Sequence, residues 1–322
     1  MGLYNESVKI KQVLWYVVYA LITLSLVGGI FGSGRHVIFD FLSLFPQWLY
    51  VIPVTLLTGC SLFVFRSFVS RMWALILSGI LVVGVVYQLD VVWFRGDIEK
   101  NISYRVLSWN TAFLEPHENA GLFEMMERYP ADFYIFQEAE YKRNKNMYAE
   151  FVYRFPELYA GHYGEYFTVS RYPMSCDTPD RSGGYLKCET DTPTGKLGLI
   201  NVHLKRPFHV SNFRSYEDFE IRNVQFGALR EAISKTSGSL VVAGDFNSPA
   251  NYPFVRELQK DFQINNPAGM LVLPHTFPAK SPYIRIDYQF ARGGLGFCGY
   301  EEVSYPEISD HIGILGSICM LE

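Results

Sequence analysis

Charge is what the first third of this chain lacks. No Asp, Glu, Lys or Arg occurs in residues 12–34, 41–65 or 72–89, runs of 23, 25 and 18 residues. Soluble helices seldom go so long without charge, which disfavours three buried core helices, and a helix needs about 20 apolar residues to span a bilayer. A cleaved signal peptide would account for one such run, not three. The chain also lacks internal repeats and low-complexity segments, which excludes a stacked repeat architecture and a disordered linker. It has no Cys/His cluster at zinc-binding spacing, which excludes a structural zinc site. It has no excess of basic residues. Residues 1–103 hold seven Lys/Arg and five Asp/Glu; the remainder holds 21 and 27, a net of −6. That balance is unhelpful for gripping a polyanion along its length.

What is present divides in two. Residues 1–100 read as a membrane anchor with three transmembrane helices at about 12–32, 44–65 and 72–94. Trp15, Tyr16, Trp48, Tyr50, Trp73 and Trp93 stand near their ends, where aromatic belts form. Lys9 and Lys11 precede the first run, and Arg66 and Arg71 lie between the second and third, against Arg35 alone in the first loop. The bias favours an inside N-terminus and an outward C-terminal part. The expectation is an integral protein of the inner or plasma membrane, with the lipid bilayer as partner and an extracytoplasmic catalytic domain. No obligate protein partner is inferred. Cys176, Cys188, Cys298 and Cys319 permit two disulfides in three pairings, or four buried thiols. Cys176 and Cys188 flank Gly183-Gly184 and could face each other across a hairpin.

Residues 101–322 read as a globular domain in which strands dominate and helices are interleaved. Strands are expected at 102–109, 132–136, 166–170, 174–178, 185–189, 198–204, 240–244, 284–291, 298–303 and 312–318. Helices are expected at 117–128, between 138 and 154, and at 213–235 with Ile221, Val224, Leu229 and Ile233 inward. The pattern implies a layered α/β or α+β domain.

The clearest stretch is 240–249, LVVAGDFNSP. An apolar strand runs into Gly244 and then presents Asp245 and Asn247. Alone it reads equally well as an ordinary turn. The same design recurs six times. Asn110, Glu138, His203, Asp245 with Asn247, Asp287, and Asp310 with His311 each stand at or just beyond the end of an apolar strand. Carboxylate and amide oxygens suit Mg²⁺ or Mn²⁺. Two histidines among carboxylates suit proton transfer to and from oxygen. Together they describe hydrolysis at phosphorus by an activated water.

The motifs SWN (108–110), QE (137–138), NVHL (201–204), GDFN (244–247), RID (285–287) and SDH (309–311) resemble the endonuclease/exonuclease/phosphatase superfamily, the DNase I-like fold. The resemblance covers about residues 104–320. It implies an α+β, four-layer α/β/β/α sandwich following the three membrane helices. It implies Glu138 as main metal ligand, with Asn110 assisting and Asp310 nearby, for Mg²⁺ or Mn²⁺. It implies His311 as general base oriented by Asp287, Asp245 and Asn247 positioning water and phosphate oxygens, and His203 stabilising the phosphorane or protonating the leaving oxygen. Ala112 stands where some members have an acidic residue. Residues 165–169 depart from the usual small-residue approach to 170–173, a departure that would reshape one wall of the cleft.

The expected substrate is a phosphate ester: a lipid head group, a nucleic acid or a small molecule. The principal reading is a metal-dependent phosphoesterase. A nuclease is the alternative, and an inactive binding or scaffold module the third. Lys205, Arg206, Arg214 and Arg222, with Phe208 and Phe213, form a candidate basic rim or a solvated helix face.

Overall fold

The computed structural model describes residues 2–33, 35–44, 52, 55–56, 59, 68–88, 102–112, 118–139, 147–177, 183–207, 215–268, 272–305 and 308–321. The chain forms two compact units. One comprises Met1–Val91 with Asn251–Pro253; the other comprises Val92–Ala250 with Phe254–Glu322.

The first unit contains α1 (Gly2–Phe31), α2 (Val37–Leu44) and α3 (Phe68–Gln88). The Tyr19 hydroxyl on α1 donates to Ser78 Oγ on α3 at 2.8 Å. Val13, Leu14 and Leu24 of α1 and Leu75, Ile80 and Val83 of α3 are exposed. Among the described residues no helix is long and apolar enough to cross a membrane. This corrects the expected three spans, and with them the bilayer partner, the inner- or plasma-membrane location and the outward-facing domain. The physical reason lies in what a charge-free run measures. It counts absent charges, which is not the same quantity as apolar length: the runs also hold Gln12, Thr23, Ser25, Ser61 and Ser78. α1 opens through Asn5, Glu6, Lys9 and Lys11. α2 has eight residues, about 12 Å of helix against a hydrocarbon core of about 30 Å. Most of the second run lies outside the described residues.

The second unit is an α+β sandwich of two six-stranded sheets. The first sheet has the order β11-β12-β1-β2-β4-β3, from β1 (Ile102–Asn110), β2 (Phe133–Gln137), β3 (Tyr159–Tyr163), β4 (Tyr166–Ser170), β11 (Leu295–Val303) and β12 (Gly313–Met320). The second has the order β5-β6-β7-β8-β10-β9, from β5 (Met174–Cys176), β6 (Tyr185–Thr192), β7 (Gly195–His203), β8 (Ser239–Asp245), β9 (Gln263–Ile264) and β10 (Asp287–Arg292). Each sheet has one parallel pair at its centre, β1 with β2 and β7 with β8. The remaining pairs are antiparallel.

The apolar side chains explain the layering. Strand residues alternate between faces, so Tyr104, Val106, Phe133 and Ile135 meet Leu186, Leu199, Val241 and Ala243 between the sheets. The opposite set, Leu107, Trp109, Tyr134 and Phe136, packs against Leu122, Phe123 and Met126 of α4 (Asn119–Arg128) and Phe151 of α5 (Met147–Arg154). On the second sheet, Arg292 of β10 donates at 2.7 Å to the Ile233 and Thr236 carbonyls at the end of α6 (Ser215–Lys235). Phe262, just past α7 (Pro253–Asp261), meets the Phe290 ring.

Two buried amides join the sheets through the apolar middle. Gln137 Nε2 donates to Asn201 Oδ1 at 2.8 Å, and Gln289 Nε2 donates to the Ile314 and Val106 carbonyls. Buried polar groups that find partners fix register as well as position. Cys176–Cys188 and Cys298–Cys319 are disulfide-bonded, each across an antiparallel pair.

The inward stripe of α6 differs from the expected one. Ile221 and Val224 are exposed; Phe219, Arg222, Phe226, Leu229 and Ile233 are buried. Arg222 sits inside that apolar stripe because its Nη2 bonds Ser248 Oγ and its guanidinium covers the Phe226 ring. This also removes Arg222 from the expected basic rim. Arg214, Phe208 and Phe213 lie outside the described residues.

Candidate active site

The site lies where the parallel pairs of both sheets end. On the second sheet, His203, Asp245 and Asp287 are register partners across β7, β8 and β10. Partners in one row share a face. On the first sheet Asn110 pairs with Gln137, and Glu138 follows at once. The loop 309–311 completes the group. Ser309 Oγ donates to the Asn110 carbonyl at 2.6 Å and accepts from the His311 N–H at 3.0 Å, while Trp109 Nε1 donates to the His311 carbonyl. The SWN and SDH motifs therefore hold each other.

The backbone is unusual here. Among the described residues the non-glycine positions with positive φ are Ala112 (54°), Glu138 (53°) and Asn247 (46°), all at strand exits in the site. Side chains in the left-handed region cost energy and persist where surroundings enforce them. Gly244 has φ 140°, and a Cβ there would fall 2.0 Å from the Val202 carbonyl oxygen. Only glycine lets β8 approach β7 closely enough to align Asp245 with His203.

Glu138 is buried. Its Oε1 accepts from Asn110 Nδ2 at 3.2 Å and lies 3.2 Å from His203 Nε2. Burial pushes its carboxyl up, but the His203 hydrogen bond and charge, with Asn110, outweigh this and leave it lowered. Asn110 Nδ2 also donates to Asp245 Oδ2 at 3.1 Å, and its Oδ1 accepts from the Ala112 N–H at 2.9 Å. That orientation faces the amide donor toward both carboxylates. Ligation of a cation through the Asn110 oxygen would require the side chain to turn over.

Asp245 accepts from the Asn247 N–H at 2.7 Å and from Asn247 Nδ2 at 3.1 Å; Nδ2 also donates to the Leu204 carbonyl at 2.8 Å. Burial, and then the charge of Asp287, raise the Asp245 carboxyl to about 6. Asp245 Oδ2 stands 3.8 Å from Nε2 of both His203 and His311.

His311 is buried, with Nδ1 at 3.0 and 3.2 Å from the two Asp287 oxygens. The Phe277 ring packs against the imidazole at 4.9 Å. Its Nε2 makes no hydrogen bond. Burial alone would lower this imidazole; the charges of Asp287, Asp245 and Asp310 raise it instead, to about 9. Positive charge entering the site would push it back down. Asp310 is exposed, with Oδ1 3.9 Å from His311 Nε2. Arg285 does not pair with the Asp287 carboxylate: its guanidinium bonds Asn266 Oδ1 and the Asn265 carbonyl.

Two groups escaped the sequence reading as parts of the site. Glu165 Oε1 lies 2.8 Å from His203 Nδ1. Burial would depress His203, but Glu138 and Glu165 lift it well above its usual value. Glu165 is at the tip of the β3–β4 hairpin, where Tyr163 pairs with Tyr166 across Gly164-Glu165. A two-residue Gly-containing loop between aromatic-rich segments was the signal for that hairpin. Ser309 was visible only as part of the SDH motif.

Glu138, Glu165, His203, Lys205, Arg206, Gln225 and Asp310 line a cavity of about 460 Å³, with Ala112 and Leu204. The oxygen donors facing it are the carboxylates of Glu138, Asp310 and Glu165. Asp245, Asp287 and His311 also bring one ligand atom each within 4.8 Å of one another. The two carboxylates among them are already engaged, Asp287 with His311 and Asp245 with three amide N–H groups, so the cavity carboxylates fit a cation better. Hard oxygen donors suit Mg²⁺ or Mn²⁺.

With this geometry in place, the comparison with known proteins is direct. The model of the Endonuclease/Exonuclease/phosphatase family matches residues 107–311. The chain belongs to this family. The family's description groups endonucleases, exonucleases and phosphatases. No curated protein matches this chain in sequence. Among solved structures, an endonuclease/exonuclease/phosphatase from Beutenbergia cavernae is 15% identical, with TM-score 0.48, over 69% of this chain and 72% of that one. A beta toxin from Staphylococcus aureus with bound magnesium ions is 14% identical, with TM-score 0.45, over 66% and 99%. A 3′ phosphatase from Neisseria bound to a product DNA hairpin is 14% identical, with TM-score 0.48, over 67% and 99%.

Proposed function

We propose that the domain hydrolyses a phosphodiester or phosphomonoester with the aid of Mg²⁺ or Mn²⁺. The observation that supports this best is the convergence of both sheets on Glu138, His203, Asp245, Asn247, Asp287, Asp310 and His311. Glu138 and Asp310 would hold the cation, with Asn110 orienting Glu138. The cation would neutralise charge on the phosphate oxygens.

The protein's own groups divide the remaining work. Asp287 fixes the His311 imidazole so that Nε2 faces the reacting centre and, when neutral, takes a proton from water. Asp245 and Asn247 present a carboxylate oxygen and an amide donor that orient the water and a phosphate oxygen in line. His203, whose hold on a proton Glu138 and Glu165 strengthen, would carry a positive charge toward the phosphorane oxygens or a proton toward the leaving oxygen.

An inactive scaffold would not be expected to retain every one of these groups. A nuclease remains within the same chemistry, and the net charge of −6 over residues 104–322 does not favour it. The test is turnover by the purified full chain of bis-p-nitrophenyl phosphate, p-nitrophenyl phosphate and plasmid DNA, with Mg²⁺, with Mn²⁺ and with EDTA. Metal-dependent release is expected. Turnover that persists in EDTA would remove the cation, and inactivity on every substrate would remove the reading.

A further inference from the structure

The cavity beside the site carries charge of both signs. Its lining includes Glu138, His203 and Asp310, and also Lys205, Arg206 and Gln225. The chemistry above uses none of the second set. Lys205 is committed, with Nζ 3.4 Å from Asp218 Oδ1 and its backbone N–H donating to Gln225 Oε1 at 2.7 Å. Arg206 is different. It is half-buried, its charge is felt at Glu138, and among the described residues no hydrogen bond or ion pair holds its guanidinium.

A guanidinium withdrawn from water needs partners for its donors. Its planar fork matches two oxygens of one phosphate. Beside it, Gln225 has its oxygen occupied by the Lys205 N–H, so only its amino end is left to donate. Gly184 keeps this side chain in place: a Cβ there would meet Gln225 Cδ at 2.8 Å. These groups thus offer donors and a positive charge in the same cavity as Glu138, His203 and Asp310.

We propose that Arg206, with the amino end of Gln225, forms a subsite for a second phosphate of the substrate, so that esters bearing a further phosphate are preferred. This rests on the phosphoesterase reading of the same cavity. A head group bearing a quaternary ammonium would meet Arg206 as a like charge and is selected against. A neighbouring nucleotide and a small bisphosphate both present the required second phosphate.

The test compares the full chain with its Arg206→Gln and Arg206→Lys variants in Mg²⁺. One arm sets the dinucleotide TpT against 5′-phosphorylated pTpT. The other sets a hexose monophosphate against the matching bisphosphate. The native chain should prefer the doubly phosphorylated member of at least one arm by about tenfold or more in kcat/KM, as a charge-assisted hydrogen bond predicts. The arm showing the larger preference names the source. Arg206→Gln should bring that ratio close to one, whatever it does to the singly phosphorylated member, and Arg206→Lys should keep part of it. A native ratio near one in both arms, or a ratio preserved in Arg206→Gln, overturns the subsite. Calorimetric binding of pTpT and the bisphosphate in EDTA supplies a readout free of turnover. Weaker binding by Arg206→Gln supports the subsite even if no ester is cleaved, in which case only the phosphoesterase reading fails; equal binding overturns it.

Discussion

His203 ends β7 in the second sheet and takes its carboxylate, Glu165, from the first. His311 precedes β12 in the first sheet and takes its carboxylate, Asp287, from the second. The two pairs cross the sandwich in opposite directions, with Asp245 Oδ2 at 3.8 Å from both Nε2 atoms. They differ in what Nε2 meets. In His203 it rests against Glu138 at 3.2 Å; in His311 it is buried without a hydrogen bond. They differ also in the partner's setting, since the Asp287 side chain is 5% exposed and that of Glu165 32%. The same dyad can therefore serve two tasks. A histidine tied to a cavity carboxylate is suited to carrying charge, and one with a vacant Nε2 is suited to moving a proton.

The largest expected effect breaks the pair with the vacant nitrogen. His311→Ala should lower kcat by about 10² to 10⁴, the usual contribution of a general base. Activity close to that of the native chain would take His311 out of the mechanism. Asp287→Asn should come next, with kcat reduced about tenfold to a hundredfold and KM little changed, because partners that orient a reacting imidazole act at about this scale. A change confined to KM would mean that Asp287 acts on binding and does not position His311.

The comparison also shows what the chain reveals before it folds. Asn110, Glu138, His203, Asp245, Asn247, Asp287, Asp310 and His311 were legible because each sits at a strand end marked by a local change from apolar to polar. Glu165 was not. It reaches His203 through the β2–β4 pairing and the stacking of two sheets, neither of which leaves a trace in neighbouring residues. Strand β3 escaped for a simpler reason, since YAGHY carries a weak alternation, whereas helix α7, PFVRELQKD, sets Phe254, Val255 and Leu258 on one buried face and its helical period is plain in the sequence. The α6 stripe was misread because a buried Arg222 occupies an apolar position, and counting apolar residues then selects the wrong face. The membrane spans rest on missing charge, and missing charge is not the same quantity as apolar length.

The smallest effect is the most discriminating. Glu165→Gln keeps the size of the side chain and a possible hydrogen bond to His203 while removing one charge. His203 would retain Glu138 on its other nitrogen, and the position is partly open to water, which screens what is lost. The loss in kcat/KM should therefore be about two- to tenfold, the scale of one net hydrogen bond. It should be smaller than that of Asp287→Asn measured on the same substrate. If Glu165→Gln proved the costlier substitution, the assignment would invert: His203 would be the proton-transferring histidine, and the vacant Nε2 of His311 would be the one that holds charge against the phosphate.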